Sequence, residues 1–516
     1  MIEKERENEA AITAAKDEHR LGVRTALAAY PWAVVWSLAV SMSIIMEGYG
    51  TILIGSLYAY PSYAREFGQP DNRAGSEYQI PAKWQSAMGS GPSAGSIVGA
   101  LANGFIIQRF GYRVAFFIGL VMMGAFVSIS FFGMSVQLQA VGQIMCGIPW
   151  GIFATIGSAY ASELCPLALR VYLTAYTNFC FATGQLIGAG VLQSFLHREG
   201  NNWAWRIPFA IQWIWLPFLL VVAFFMPESP WWFVRRGRYP EAEDSVRRLM
   251  AKTYREQDDG QHVKHAVALM IHTNSLEQSI AQGVSYLDCF RGIDRRRTEI
   301  ACVTFLGQIT CGAQLAYSAT YFFKQAGISS ASAYKLNLGG TGLALAGSTL
   351  SWFVMRRVGR RRLYMCGMGA MAGCLLLVGA LTAGDNGDAG VKWVQSALCL
   401  LWLLCFSLSV GPVGWTIPAE VSSTRLRSKT VVLARTSYYM LQIVANIMEP
   451  YMMNPTAWNW GGYTAFFWSV TALLSLIYAF FRLPESKGRS FEEMDLLFAA
   501  RVPTRKFRDW RPSITV

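Results

Sequence analysis

Predominantly apolar stretches of about 20 residues, each enough to cross a hydrocarbon core of roughly 30 Å as an α-helix, recur along the whole chain. They fall near 33–60, 85–107, 113–133, 137–161, 171–195, 207–226, 299–323, 336–355, 363–383, 392–418, 430–450 and 463–482. Inside lipid every backbone N–H and C=O must be satisfied within the protein, which leaves helices or a closed barrel. Runs this long select helices. With 53% hydrophobic and only 15% charged residues, the 516-residue chain excludes an ordinary soluble domain. The expected fold class is an all-α membrane protein with twelve transmembrane helices, six in each half.

The cations set an expected orientation, because loops rich in Lys and Arg stay on the cytoplasmic side. Alternate connections carry Arg109 and Arg113, then Arg170, then Arg235, Arg236, Arg238 and Arg295 to Arg297, then Arg356 to Arg362, then Arg425, Arg427 and Lys429. Both termini are therefore expected inside. This distribution accounts for the net charge of +13 and excludes a nucleic-acid partner. The ten cysteines avoid the connections expected outside, so they imply no disulfide framework.

The two halves repeat their charged residues. Glu163 precedes Arg170 as Glu420 precedes Arg427, and each glutamate is followed by a Pro-Glu-Ser triplet, at Pro227 to Ser229 and Pro484 to Ser486. The spacings 228 − 163 and 485 − 420 are both 65. Arg109 to Arg113 in the first half and Arg357 to Arg361 in the second precede these sets. Duplication in an apolar chain is the mark of secondary transporters, whose halves rock about a site between them. The resulting division is a cytoplasmic arm (1–30), a first six-helix bundle (31–226), a cytoplasmic central loop with short helices (227–298), a second bundle (299–482) and a cytoplasmic tail (483–516). Pro240 with Glu241 marks a helix start in the central loop, and Ser490 to Glu493 has the capping-box form in the tail.

The chain resembles the sugar porters of the major facilitator superfamily, and among them the fungal maltose and α-glucoside permeases. The resemblance rests on Tyr160 to Arg170, on Pro227 to Trp232, on Ser285 to Glu299, on Ser423 to Thr430 and on Asn454 to Trp460. It implies two pseudo-symmetric six-helix bundles, alternating access, a sugar as substrate, a plasma-membrane location, and no cofactor, metal or catalysis. It also implies a cytoplasmic gate: Arg109, Arg113, Glu163, Arg170, Glu228, Arg357, Glu420, Arg427 and Glu485 would hold the halves together while the cavity faces outward. Charges at helix ends near lipid need partners, and such pairs can break as bundles separate. Where the family commonly has an acid before the first arginine, this chain has Gln108, and Arg356 in the second half.

Sugar hydroxyls call for side chains that donate and accept hydrogen bonds, with aromatic faces beside the ring. Within the spans stand Gln185, Gln308, Gln314, Tyr317 and Trp415, and by resemblance these match sugar-contacting positions. Each amide in lipid marks either a helix contact or a cavity wall. Ile309 replaces the family's usual second glutamine, and Asn446 is a further candidate that a helix contact would also explain.

A proton-coupled carrier needs a carboxylate inside the membrane. The permeases it resembles usually carry Glu-Gly-Tyr-Asp in the first span and Gly-Glu in the second; here stand Glu47-Gly48-Tyr49-Gly50 and Gly95-Ser96. Glu47 is then the one strong candidate, with Arg435 as a cation for it, and Glu449 beside Pro450 reads as a solvated residue at the outer helix end. Coupling to protons is expected to be weak or absent. Two alternatives stay open: a carrier or exporter of another small metabolite on the same scaffold, and a sugar sensor that does not transport. Among motifs for chemistry there is no phosphate-cradling loop and no His-Cys-carboxylate cluster.

Overall fold

The structure is a computed structural model that describes residues 22–507 apart from 71–77, 197–201, 257–260, 282–284, 326, 385–388, 424–425, 488 and 490. Among the described residues twelve helical spans run in two sets of six. The first set comprises Pro31–Leu57, Ala82–Phe110, Tyr112–Phe132, Val136–Leu164, Leu167–Phe195 and Trp203–Phe225. The second opens with a span in three pieces, Gly292–Thr310, Ala313–Tyr317 and Ala319–Gln325. It continues with Ser330–Arg357, Arg360–Ala383, a tenth span in two pieces, Ala389–Leu408 and Val410–Val421, then Arg427–Met453 and Thr464–Arg482. The helix of the seventh span begins at Gly292, ahead of the predicted 299, because its polar first turns carry Asp294 and three arginines beyond the apolar run.

Packing within each set follows one scheme. The second span lies on the fourth and the first on the fifth; in the other half the eighth lies on the tenth and the seventh on the eleventh. Between halves the second span meets the eleventh and the eighth meets the fifth. Exchanging the halves converts one of these two cross-contacts into the other, which is the pseudo-twofold relation. In the first half the close pairs touch backbone to backbone. A Cβ on Gly99 would strike the Ile148 carbonyl and one on Gly151 the Ser96 carbonyl, while Gly48 and Gly184 hold the same relation to Phe181 and Ile45. Small residues serve this purpose where lipid gives no hydrophobic drive for helix association.

Two spans are broken near their middles. The seventh turns at Gly312, whose φ of +89° no side-chain-bearing residue adopts without strain, and where a Cβ would meet Leu375 and Trp468. The tenth breaks at Ser409, ahead of Pro412, which has no N–H to continue the ladder. Both breaks re-aim side chains toward the space between the bundles.

Polar segments gather at the face that carries both described termini. Helices Pro230–Arg235, Tyr239–Leu249 and Gln261–Ala281 share a small core of Val234, Ala242, Val246, Met250, Val263 and Val267. Helix Phe491–Ala499 docks on the second half, where Arg297 donates to the Met494 carbonyl at 3.1 Å and lies 4.5 Å from the Phe498 ring. At the opposite face a short helix, Pro61–Phe67, leads into a two-residue antiparallel pair, Gln69–Pro70 with Tyr78–Gln79, that sequence patterning did not anticipate.

Candidate functional site

Between the halves lie two polar compartments that share Tyr317. The first is bounded by Glu47, Thr51 and Tyr58 of the first span, Gln85, Gly89 and Ser93 of the second, Trp150 of the fourth, Gln314 and Tyr317 of the seventh, and Tyr439, Gln442, Asn446 and Glu449 of the eleventh. The second is bounded by Asn178 and Gln185 of the fifth span, Asn337 and Thr341 of the eighth, and Trp402, Phe406 and Ser407 of the tenth. Each half therefore contributes to both.

Gln185, Gln314 and Tyr317 meet here. Tyr317 and Gln185 both line the second compartment. The Nε2 groups of Gln185 and Gln314 are buried without a protein acceptor, as is the indole N–H of Trp150. A buried donor left unpaired costs about 1–3 kcal/mol, so these groups suit a ligand rich in acceptors. Asn446 also lines the cavity and donates to the Gly89 carbonyl of the other half at 2.9 Å.

The remaining candidates stand apart. Gln308 is a helix contact, donating to the Gly411 carbonyl at 2.7 Å and tying the seventh span to the break in the tenth. Trp415 is 48% exposed, with Phe305 edge-on at 5.2 Å and the Arg435 guanidinium 4.2 Å from its centroid. Arg435 is held in a cage of Trp415, Tyr438 and Tyr439 and donates to the Tyr439 hydroxyl at 3.1 Å. It acts on Glu47 through space rather than through a hydrogen-bonded pair.

Glu449 corrects an expectation. It is not solvated: 3% of it is exposed, its Oε2 accepts from the Trp468 indole at 2.6 Å, and its Oε1 is buried without a donor. The eleventh helix continues past Pro450 to Met453, and Glu449, in its last two turns, is buried against the twelfth span. Gly50, where a carboxylate was absent, has the Trp150 ring in the place of its missing Cβ, and Ser96 donates to the Gly147 carbonyl at 3.1 Å.

Sequence reasoning passed over Gln85, Tyr58 and Gln442. For Gln442 a signal existed. It follows Gln185 by 442 − 185 = 257 residues, the offset that separates Glu163 from Glu420 (420 − 163 = 257).

At the terminus-bearing face the duplicated charges form duplicated contacts, each inside its own half. Glu228 accepts from the backbone N–H of Tyr112 at 2.8 Å and of Arg113 at 3.1 Å; Glu485 accepts from that of Arg360 at 2.9 Å. These carboxylates cap the third and ninth spans, where unpaired N–H groups favour negative charge. Burial raises the Glu228 carboxyl above the usual carboxylate range, while the amide donors of Ser229, Tyr112 and Arg113 pull it back. Ser229 donates to Glu163, and Ser486 to Glu420 at 2.5 Å. Glu163 takes its cation from Arg235 at 2.6 Å and Glu420 from Arg360 at 3.2 Å. Arg113 donates to the Phe224 carbonyl as Arg361 does to that of Phe480. Arg109 and Arg357 offer their carbonyls to Arg236 and Lys487, and Arg170 acts Coulombically on Cys165. The side chains of Arg356 and Arg427 lie outside the described residues.

The bonds that do cross between halves cluster at the other face. Tyr334 donates to the Ser56 carbonyl at 2.5 Å, Asn337 to the Ser56 hydroxyl at 3.1 Å and Lys324 to the Ala59 carbonyl at 3.0 Å. Ser86 donates to the Ile447 carbonyl at 3.0 Å, Asn454 to that of Ile80 at 2.9 Å, and Gln79 pairs with Tyr321. Among the described residues the halves are thus hydrogen-bonded shut on one side, while the charged motifs of the other side bind inward.

A profile of the sugar (and other) transporter family matches residues 36–498. Maltose permease MAL31 of Saccharomyces cerevisiae is 38% identical over 495 residues, which are 96% of this chain and 80% of that protein. The general alpha-glucoside permease of the same yeast is 36% identical over 493 residues, 95% of this chain and 79% of that one. Among solved structures, the inward-open conformation of the xylose transporter XylE from E. coli aligns with a TM-score of 0.72 at 21% identity, over 90% of this chain and 100% of that one. The chain belongs to the sugar (and other) transporter family and has the twelve-helix, two-bundle fold of the major facilitator superfamily.

Proposed function

We propose that this protein carries a sugar of the α-glucoside or hexose class across the plasma membrane by alternating access, with both termini in the cytoplasm. The observation that carries the proposal is the set of buried donors without protein acceptors, on Gln185, Gln314 and Trp150, facing a cavity walled by both halves. A sugar hydroxyl supplies an acceptor to each, and Tyr317 and Trp150 offer faces to the apolar side of a pyranose ring. The relatives named as maltose and α-glucoside permeases support the substrate class.

The sidedness follows from the positive-inside rule applied to the terminus-bearing face, which holds Arg109, Arg113, Arg235, Arg236, Arg360 and Arg361. On that reading this conformation opens toward the cytoplasm. Glu163, Glu228, Glu420 and Glu485, with their arginine partners, cap their own bundles in this state and become available to the other half when the opposite seam parts. These pairs are only partly exposed, and where water reaches an ion pair it is worth about 0–1 kcal/mol, which suits contacts that must break in every cycle.

Uptake of radiolabelled maltose into proteoliposomes, with competition by a panel of glucosides and hexoses, tests the proposal. Saturable uptake that maltose or a hexose competes for is expected. If neither class competes, the reading as a carrier of another small metabolite replaces it.

A further inference from the structure

The first compartment contains two carboxylates at different depths, one from each half. Along their helices, Glu47 stands ten residues before Leu57 (57 − 47 = 10) and Glu449 four before Met453 (453 − 449 = 4). At 1.5 Å per residue those ends lie about 15 Å and about 6 Å away. Both helix ends are at the face closed between the halves. Glu449 is therefore the carboxylate nearer the closed seam, and Glu47 lies toward mid-membrane.

The surroundings of Glu449 fix one oxygen and leave the other without a partner. Trp468 of the twelfth span holds Oε2, and Oε1 is buried with no donor. The titratable groups around the compartment are Glu47 and Tyr58 from the first span and Tyr317 and Tyr439 from the seventh and eleventh; the second span turns Gln85 and Ser93 toward it. None of these is a cation, and the one nearby, Arg435, is caged by aromatic rings close to Glu47. An ionised carboxylate so placed in a membrane interior is costly, whereas a hydrated one is not. The neighbours of Glu449 are the seam itself: Asn446 bonds to Gly89 and the Ile447 carbonyl accepts from Ser86, both across the halves. Parting the seam opens Glu449 to water from that side, and closing it leaves Glu449 bordering only the cavity between the bundles.

From this juxtaposition we infer that Glu449 is a proton-binding site of the transport cycle, loaded from the face opposite the termini. With the seam open, hydronium transfers one proton to the Glu449 carboxylate, leaving a neutral acid and water. With the seam closed and the cavity open to the terminus-bearing face, the acid returns that proton to water there. The inference deepens the sugar-carrier reading and rests on it. It replaces the expectation of weak coupling, which assumed Glu47 as the lone acid.

The test uses the full-length protein in proteoliposomes with radiolabelled maltose. E449Q keeps the size and an oxygen for Trp468 but removes the titratable carboxyl group. A one-unit pH gradient, at one proton per sugar, sustains an accumulation of about tenfold. Wild type is expected to approach that ratio and to take up protons when maltose is added. E449Q is expected to equilibrate to a ratio of about one and to lose maltose-driven proton uptake, and E449D to regain both. E449Q that still accumulates maltose overturns the inference, as does a variant that loses counterflow and accumulation together through a raised KM, the signature of a sugar contact. Wild type with maltose counterflow but no proton uptake also overturns it. Failure of counterflow in wild type instead removes the maltose reading. An independent measurement then decides on Glu449: in infrared spectra followed across pH, a titrating carboxylic-acid carbonyl band present in wild type must vanish in E449Q. An unchanged band contradicts the inference.

Discussion

In the proposed reading Gln314 and Gln185 recognise the sugar, because their amide N–H groups are buried in the bundle without a protein acceptor. Truncating Gln314 removes one hydrogen bond to a ligand hydroxyl, worth about 1–2 kcal/mol, so Gln314→Ala should raise KM for uptake roughly five- to thirtyfold. The concentration dependence of initial rates checks this, and an unchanged KM would place the ligand elsewhere. Gly50 gives a second prediction. The Trp150 ring fills the space beside it, so Gly50→Asp must displace the indole and should cost about 1–3 kcal/mol, visible as a lower melting temperature in detergent. How far the site was readable depended on context. The rule that amides in lipid are either contacts or cavity walls selected Gln185, Gln308 and Gln314 but could not sort them; only the break at Ser409 shows why Gln308 is a contact. Glu449 was misread because Pro450 suggested a helix end, whereas the helix continues and Trp468, remote in sequence, supplies the donor.

Caps and breaks do the corresponding work for helices. Glycines stand at the N-caps of the third and ninth spans, Gly111 and Gly359, and let Glu228 and Glu485 reach the N-termini of those spans. The two differ in one respect: Gly111 has φ +90°, and Gly359 has φ −67°. An added methyl group meets a pinned carboxylate at both, but only at Gly111 does it also incur about 1–3 kcal/mol of backbone strain. Gly111→Ala should therefore lower the melting temperature clearly more than Gly359→Ala, as a thermal-stability assay on solubilised protein can read; equal losses would refute the argument from φ. The spans themselves were legible because apolar length is a local property. The breaks in the seventh and tenth spans were not, since a glycine or proline in lipid is tolerated as often as it bends a helix, and the choice depends on neighbours such as Leu375 and Trp468.

For the whole molecule, the repeat with its constant spacing of glutamates foretold two related bundles, and the reciprocal contacts of the second with the eleventh and the eighth with the fifth spans realise it. Which face is open was not in the sequence, because the same residues serve both states. If the seam must part, a short reversible crosslinker between cysteines at Ser86 and Ile447, where the Ser86 hydroxyl now donates to the Ile447 carbonyl across the halves, should abolish uptake until reductant is added. Persistent uptake by the crosslinked protein would mean that the seam is static. The most direct measurement is electron–electron distance spectroscopy on two label pairs. One spans the terminus-bearing face at Arg109 and Arg357, and the other spans the opposite face at Glu66 and Ser329, all exposed positions. Alternating access predicts two populations related reciprocally, the first distance shortening as the second lengthens when sugar and a pH gradient shift the balance. Two distances that stay fixed, or that change in the same sense, would contradict it.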